Sequence, residues 1–199
     1  MDWTLQGKKI VIADDEPIAR INLQDAMEKI GCEVTAAVSN GLEAVSACRK
    51  YKPDIVLLDV KMPLMDGLVA AREISHDGTA DTIVMITAYN DLSFIEEAVK
   101  NGANGYIVKP VNENILIPNL LVAHAKSKEI QGLHQEIHKV EEDLAARRVI
   151  EHAKGYLMDK EHMTEDSAYV YIRTLSRENR MSMKEVAVML LEAKERESH

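Results

Sequence analysis

The chain has few cysteine and aromatic residues, and it lacks the long apolar runs of membrane proteins. It has two cysteines and 4% aromatic residues. Cys32 and Cys48 lie in apolar surroundings without metal-ligand spacing, which predicts reduced thiols in a core. No apolar run approaches the roughly 18 residues that a membrane span needs, and the first residues lack the basic and apolar regions of a signal peptide. We therefore expect a cytoplasmic protein that does not contact a membrane.

The chain also lacks an excess of basic residues. Its net charge of −9 argues against a broadly basic nucleic-acid-binding protein. The charge is unevenly spread, however. Residues 1–111 contain 11 Lys and Arg against 17 Asp and Glu, whereas residues 147–199 contain 10 against 10. A small basic face is therefore expected near the C-terminus.

Apolar runs alternate with amphipathic helical patterns five times in the first part of the chain. We predict strands near residues 8–15, 33–38, 55–58, 83–87 and 105–110. Alternation with short links predicts an α/β fold, a doubly wound five-stranded parallel sheet covered by helices on both faces. The first helix is predicted to turn inward Ile18, Ile21, Leu23, Ala26, Met27 and Ile30. The fourth is predicted to turn inward Leu92, Ile95, Ala98 and Val99.

Polar side chains follow four of these strands at the point where each strand ends. They are Asp14, Asp15, Asp59, Thr87 and Lys109. Because the carboxyl ends of parallel strands meet at one edge of a sheet, we expect them to converge there. Three carboxylates in one place repel one another and favour a hard divalent cation such as Mg²⁺. An Asp-Asp pair alone is often a helix-start signal, so the ordered set carries the inference.

The pattern suits phosphoryl transfer. Asp59 would be the nucleophile and would become an acyl phosphate. Asp14, Asp15, Asp59 and the backbone carbonyl of Lys61 would hold Mg²⁺, which neutralises charge on the transferring group. Lys109 would pair with one phosphate oxygen, and Thr87 would donate a hydrogen bond to another.

Residues 8 to about 125 resemble the receiver domain of two-component response regulators, which has a flavodoxin-like fold. The matching positions are Asp14, Asp15, Asp59, Met62-Pro63, Asp66-Gly67, Thr87 and Lys109. The resemblance implies a sensor histidine kinase as partner and a cis bond between Lys109 and Pro110. It also implies that Thr87 and Tyr106 act as a switch, although Tyr106 equally suits a half-buried strand position.

The residues from 112 to about 158 show helical periodicity and no strand signal. An apolar seam with spacings of 3 and 4 consists of Ile130, Leu133, Ile137, Val140 and Leu144. Leu116 and Ala123 continue one heptad position upstream, but Asn119 and Lys126 occupy the other. We predict a parallel homodimeric coiled coil that forms on activation. The alternative is that the seam packs on the N-terminal domain.

The last 50 residues predict a small three-helix bundle. Thr164 caps one helix, and Ser182 with Glu185 forms a capping box for the next. Residues 147–155, with Ala168, Ile172-Arg173 and Val186-Ala187, are similar to the ANTAR domain of transcription antitermination regulators. The resemblance implies binding to paired stem-loops in nascent leader mRNA, which prevents a terminator hairpin from forming. We predict a receiver domain at 1–118, a coiled-coil linker at 119–146 and an ANTAR domain at 147–199.

Basic and aromatic side chains of the bundle are the candidate RNA contacts. They are Arg147, Arg148, Lys154, Tyr156, Arg173, Arg177, Arg180 and Lys184. The alternative for each charge is a solvated face, and for the tyrosines it is packing in the bundle. Ala153 and Gly155 would allow close packing of helices or a close approach of RNA backbone.

Two other functions compete with this hypothesis. A DNA-binding response regulator controlling promoters needs a basic recognition helix, but the last helix has only Lys184, Lys194 and Arg196 among several glutamates. An enzymatic output needs a catalytic cluster, and residues 140–199 contain no pattern of that kind. We therefore do not expect an enzyme. Whether phosphorylation would unmask the dimer seam or stabilise it is left open by the sequence.

Overall fold

The computed structural model describes residues 4–88 and 91–197. Its contacts divide the chain into two compact units, Met1–Gln131 and Gly132–His199. Among the described helices, none has both the length and the apolar character that crossing a membrane requires.

The first unit is built on a five-stranded parallel sheet with the order β2-β1-β3-β4-β5. The strands are β1 (Lys9–Ala13), β2 (Glu33–Val38), β3 (Ile55–Leu58), β4 (Thr82–Thr87) and β5 (Gly105–Val108). The helices between them are α1 (Pro17–Lys29), α2 (Gly41–Tyr51), α3 (Gly67–Asp77) and α4 (Leu92–Lys100). The predicted fold class is confirmed.

The central strand β3 is buried on both faces, and its alternate residues enter two separate cores. Val56 lies in one core with Ala44 of α2 and Ile74 of α3. Leu57 lies in the other with Met27 of α1. Successive strand residues point to opposite faces of a sheet, so an uninterrupted apolar run is what a sheet covered on both sides requires.

Two predicted helix faces are wrong in part. In α1, Ile18 and Ile21 are mostly exposed, as are Leu92 and Val99 at the two ends of α4. The buried residues of α1 begin at Leu23, and one turn earlier on that face lie Ala19 and Arg20. Apolar residues within a helical pattern therefore do not all belong to the buried face.

The helix α5 (Glu113–Glu161) is 49 residues long. Its first part buries Leu116, Leu120 and Ala123 in the core that also contains α1. Ile115 and Val122 lie on a different side of the same turns and are exposed. The buried residues continue past residue 118, and the predicted domain boundaries stay predictions.

The second unit contains the end of α5 with α6 (Glu165–Asn179) and α7 (Met183–Glu197). Its core consists of Ala153, Leu157, Ala168, Ile172, Val186 and Ala187. Both predicted caps are present. Thr164 Oγ1 accepts a hydrogen bond from Ser167 N at 3.3 Å. Ser182 and Glu185 exchange backbone-to-side-chain bonds of 2.7 and 3.2 Å, which satisfies amide groups that a helix start leaves free.

Candidate phosphorylation site

The sheet positions the site because four strands end at the same edge. Asp14 follows β1, Asp59 follows β3 and Lys109 follows β5, while Thr87 is the last residue of β4. The register continues one residue past the strands: Asp59 N donates to Ala13 O at 2.8 Å, and Lys109 N donates to Thr87 O at 2.7 Å. The backbone of the sheet thus fixes where each side chain starts.

Lys109 joins two of the carboxylates. Its Nζ donates to Asp14 Oδ2 at 2.7 Å and to Asp59 Oδ2 at 2.9 Å. Burial disfavours the charged form of Lys109, but the bonds to Asp14 and Asp59 outweigh burial and raise its pKa. Lys109 therefore stays protonated between the two acids.

The acidic cluster is more negative than one lysine can balance. Carboxylate oxygens of Asp14, Asp15 and Asp59 lie within 4.8 Å of one another. Asp14 is fully buried, Asp59 is nearly so and Asp15 is exposed. Three carboxylates against one ammonium leave a net charge of −2. This donor set and charge fit a hard divalent cation with one open side for water.

The loop after Asp59 passes so closely that one position admits only glycine. A Cβ on Gly67 would lie 1.8 Å from the carbonyl oxygen of Asp59. Gly67 N donates to Val60 O at 2.9 Å, and Asp66 caps α3 by accepting from Val69 N at 2.8 Å. The Asp66-Gly67 pair therefore closes the loop back onto Asp59.

One residue near the site was missed by the sequence argument. Arg20 Nη1 donates to the backbone oxygen of Asp14 at 2.5 Å, and Asp14 Oδ1 accepts from Glu16 N at 3.0 Å. These bonds hold the segment that carries Asp14 and Asp15. The signal was present in the sequence, because Arg20 follows the acidic pair by little more than one helical turn.

The predicted switch residues lie next to the cluster. Thr87 is fully buried, and Tyr106 is partly buried. Burial raises the pKa of the Tyr106 phenol, and the negative charges of Asp59 and Asp91 raise it further. The bond between Lys109 and Pro110 is cis, as predicted. The Lys61 ammonium lies 5.5 Å from the Phe94 ring centre, and the metal-binding role of its carbonyl stays a prediction.

Two families match the chain. The response regulator receiver domain matches residues 10–120, and the ANTAR domain matches residues 138–191. The chain is a response regulator with a receiver and an ANTAR domain. The transcriptional regulatory protein PdtaR of Mycobacterium tuberculosis is 37% identical to this response regulator over 185 residues, which cover 93% of this chain and 90% of PdtaR.

Other relatives match the receiver domain alone. The chemotaxis protein CheY of Thermotoga maritima is 37% identical over 114 residues, covering 57% of this chain and 95% of CheY. A two-component response regulator of the LuxR family from Aurantimonas sp. SI85-9A1 has a TM-score of 0.57 at 30% identity, covering 61% and 87%. A CheX–CheY–BeF3–Mg²⁺ complex from Borrelia burgdorferi has a TM-score of 0.56 at 25% identity, covering 59% and 89%.

The ANTAR domain exposes most of the predicted RNA contacts. Exposed side chains belong to Arg147, Arg148, Arg173, Arg177, Arg180 and Lys184. Tyr156 is partly buried, with the Lys160 ammonium 5.5 Å from its ring centre. The side chains of Lys194 and Arg196 lie outside the described residues.

Lys154 of the ANTAR domain differs from its prediction as an RNA contact. Its Nζ donates to Glu165 at 2.8 Å and to Glu151 at 2.9 Å, and these bonds raise its pKa. The side chain is 8% exposed, so its charge is already neutralised within the bundle. Ala153 is fully buried, as close packing requires, whereas nothing lies within 4 Å of a Cβ on Gly155. Close helix packing at Gly155 was therefore a wrong expectation.

The response regulator also exposes its predicted dimer seam. Ile130, Leu133, Ile137, Val140 and Leu144 are 40% to 57% exposed in the single chain. Apolar side chains at this spacing on a solvent-facing side of a helix are typical of a surface that a partner covers.

Proposed function

We propose that this response regulator is activated by phosphorylation of Asp59, binds paired stem-loops in nascent leader mRNA and thereby prevents transcription termination. The observation that carries the proposal is the Asp14–Lys109–Asp59 arrangement at the sheet edge, in one chain with an ANTAR domain. The relative PdtaR is named a transcriptional regulatory protein, which supports an output at the level of transcription.

The acidic cluster is proposed to bind Mg²⁺ through Asp14, Asp15, Asp59 and the Lys61 carbonyl. When bound, the cation neutralises charge on the phosphoryl group. A carboxylate oxygen of Asp59 forms the new bond to phosphorus, and the bond between phosphorus and the donor's leaving group breaks. Lys109 then exchanges a carboxylate partner for a phosphoryl oxygen. The Borrelia burgdorferi complex, which contains CheY and Mg²⁺, supports this assignment.

A sensor histidine kinase is the proposed phosphoryl donor. A groove beside Lys109 is lined by α1 and the segment after β5, including Ile18, Ala19, Pro110 and Val111. Ile18 is mostly exposed there, which suits an apolar contact from a protein that must bring its phosphohistidine to Asp59. Ile18→Asp is expected to slow transfer from the kinase about tenfold. Phosphorylation by acetyl phosphate, which needs no docking, should be unchanged. Equal slowing with both donors would contradict this role.

A second copy of the chain is the proposed partner of α5. The exposed residues Ile115 and Val122 precede Leu133 and Val140, respectively, by 18 residues, which is five turns of a helix with 3.6 residues per turn, so they share a side with this part of the seam. The buried residues Leu116 and Leu120 lie on another side. The helix thus has one apolar side for its own domain and another for a partner, which supports dimerisation through the seam Ile130 to Leu144.

One experiment tests the linked parts of the proposal. Wild type and Asp59→Asn are treated with acetyl phosphate and Mg²⁺, and RNA binding and oligomeric state are measured by fluorescence anisotropy and sedimentation. We expect wild type to bind a two-hairpin leader RNA at least about tenfold more tightly after phosphorylation, because dimerisation presents two domains at once. Asp59→Asn should show no response. An acetyl-phosphate response that survives in Asp59→Asn would reject the mechanism.

The seam has a matched pair of variants. Ile137→Glu places a charge in the seam and should abolish the dimer while phosphorylation proceeds normally. Gln135→Glu introduces the same charge on the opposite side of α5, where it should have no effect.

Stronger binding of phosphorylated protein to a promoter duplex than to RNA would favour the DNA-binding alternative instead.

A further inference from the structure

The second and third helices of the ANTAR domain present outward faces of different charge. On α6, Tyr169, Arg173 and Arg177 are spaced four residues apart and are all exposed. On α7, the exposed residues spaced four apart are Lys184, Val188 and Glu192, and Glu185 is exposed beside Lys184. Helical residues four apart lie one above the other. Therefore α6 offers an aromatic and basic stripe, whereas α7 offers a surface of mixed charge with one lysine and two glutamates.

The core fixes the direction of this stripe. Ala168 and Ile172 of α6 are fully buried in the bundle core, and each immediately precedes a stripe residue. A one-residue step turns a helix by about 100°, so Tyr169 and Arg173 point along the domain surface. The stripe spans about 12 Å of helix. Glu165 and Asp166 stand at its N-terminal end, where the helix dipole stabilises acidic groups, and Glu165 is bonded to Lys154.

We propose that Tyr169, Arg173 and Arg177 form the surface that binds an unpaired RNA loop. The assignment rests on the proposed RNA-binding function. The Tyr169 ring stacks on a loop base, and the two guanidinium groups bind flanking phosphates, which is the combination that recognises single-stranded nucleic acid. The outward side of α7 suits phosphate less well, because the exposed Glu185 and Glu192 outnumber Lys184. Lys154 contributes by holding α6 against α5 rather than by touching RNA.

The test uses the full chain, phosphorylated with acetyl phosphate and Mg²⁺. Hairpin RNAs with random loops are selected for binding to wild type, and the enriched RNA is then used as the probe for every variant. Arg173→Ala and Arg177→Ala should each weaken binding about tenfold and lower the log–log salt slope by about 0.7. Tyr169→Ala should weaken binding about tenfold without changing that slope, because stacking releases no counterions. Tyr169→Phe keeps the ring and should bind like wild type.

Lys139→Ala is the matched control, since it removes an exposed positive charge from α5 at a position that is neither in the seam nor among the candidate RNA contacts. Its loss of affinity should stay within about twofold. Circular dichroism of each variant should match wild type, because the changed side chains are exposed.

The outcomes separate this assignment from the function on which it rests. If wild type enriches no RNA, the proposed RNA-binding function fails. If wild type enriches RNA but the α6 variants bind it as wild type does, the stripe is wrong and the function stands. A loss at Lys139→Ala equal to that at Arg173→Ala would also overturn the assignment to α6. If a fully paired duplex of the same length competes as well as the hairpin, binding to an unpaired loop is excluded.

Discussion

Each of the two units contains a lysine that bridges two carboxylates, yet the two arrangements differ in what is buried. In the receiver, the acids are hidden: the Asp14 and Asp59 side chains are 1% and 11% exposed around Lys109. In the ANTAR domain the lysine is hidden, while Glu151 and Glu165 are 55% and 67% exposed. Bond lengths in the two networks are nearly the same, so they do not distinguish the roles.

The burial of the carboxylates distinguishes the roles of the two networks. Exposed glutamates keep most of their hydration, so the Lys154 network is electrostatically satisfied and ties α5 to α6. Buried aspartates cannot be hydrated in this way, and a third carboxylate, Asp15, adds to their charge. The receiver site therefore retains a demand for positive charge that a cation and, later, a rearranged Lys109 can meet. The proposed phosphorylation site differs from the Lys154 network by this excess of negative charge.

The largest expected effect follows from removing the receiver lysine. Lys109→Ala should slow phosphorylation by acetyl phosphate roughly 100-fold, because charge on the transferring group loses a preorganised partner. The same change should strengthen Mg²⁺ binding, since the site becomes more negative. Intact mass measured over time gives the rate, and calorimetry gives the Mg²⁺ affinity. Lys154→Met is the control and should change neither quantity. A normal rate in Lys109→Ala would place the transferring group elsewhere.

Gly67 of the receiver and Gly155 of the ANTAR domain show a similar difference between the two units in how closely the backbone is packed. Gly67→Ala drives a Cβ to within 1.8 Å of the Asp59 carbonyl oxygen, and the required backbone shift should destabilise the receiver by about 3 kcal/mol or more. Gly155→Ala meets nothing within 4 Å inside a helix and should stabilise the ANTAR domain by about 0.5–1 kcal/mol. Urea unfolding measures both. Equal stability of the two variants would mean that the loop after Asp59 is free to move.

The receiver site was predictable because its residues lie at the ends of strands. A buried strand leaves a run of apolar residues, and the first polar residue after it must lie at the sheet edge. Asp14, Asp59 and Lys109 were placed correctly by this rule. Their distances from one another depend on strand order, which the sequence does not list but which the alternation of strands and helices restricts.

The errors came from helices, where the pattern is less strict. An apolar side covers about 100° of a helix, so Ile18 and Leu92 could be assigned to it although they lie beyond its edge. The pairing of Lys154 was missed for another reason. Glu151 is visible one turn before it, but Glu165 meets it only because the chain reverses after α5. No local pattern predicts a partner across a turn.

A smaller effect, on the local stability of α6, is expected from breaking the bond between Lys154 and Glu165. Lys154→Met keeps the buried stem but removes the charge, and hydrogen exchange should become faster in the first turns of α6, next to Glu165. Acid should act in the same way. The bond to Lys154 lowers the pKa of Glu165 below its usual 4.5, so the tie is present above pH 4.5 and is lost as pH falls through the lowered value. Lys154, whose pKa is raised, loses its charge only above its usual 10.5. If the variant exchanged like wild type at neutral pH, the tie would carry no stability.

The smallest effect is a pH dependence confined to the receiver. Thr82 Oγ1 and His124 Nδ1 share a buried hydrogen bond of 2.9 Å. Burial lowers the pKa of His124 below 6.5. The positive charges of Lys8 and Lys128 lower it further, and they outweigh the negative charges of Asp54 and Asp81, which raise it. Because the folded state prefers neutral His124, its contribution is complete above pH 6.5 and declines as pH falls below that value.

Replacing both His124 and Thr82 isolates their contribution to the pH dependence of receiver stability. His124→Leu with Thr82→Val removes both polar partners, so neither is left buried and unsatisfied. Urea unfolding between pH 5.5 and 7.5 should show receiver stability falling with acid in wild type and falling less in the double variant. The Lys154–Glu165 bond of the ANTAR domain offers the internal comparison, because a raised lysine pKa and a lowered glutamate pKa both lie outside this range. A double variant with the wild-type slope would assign the pH dependence to another group.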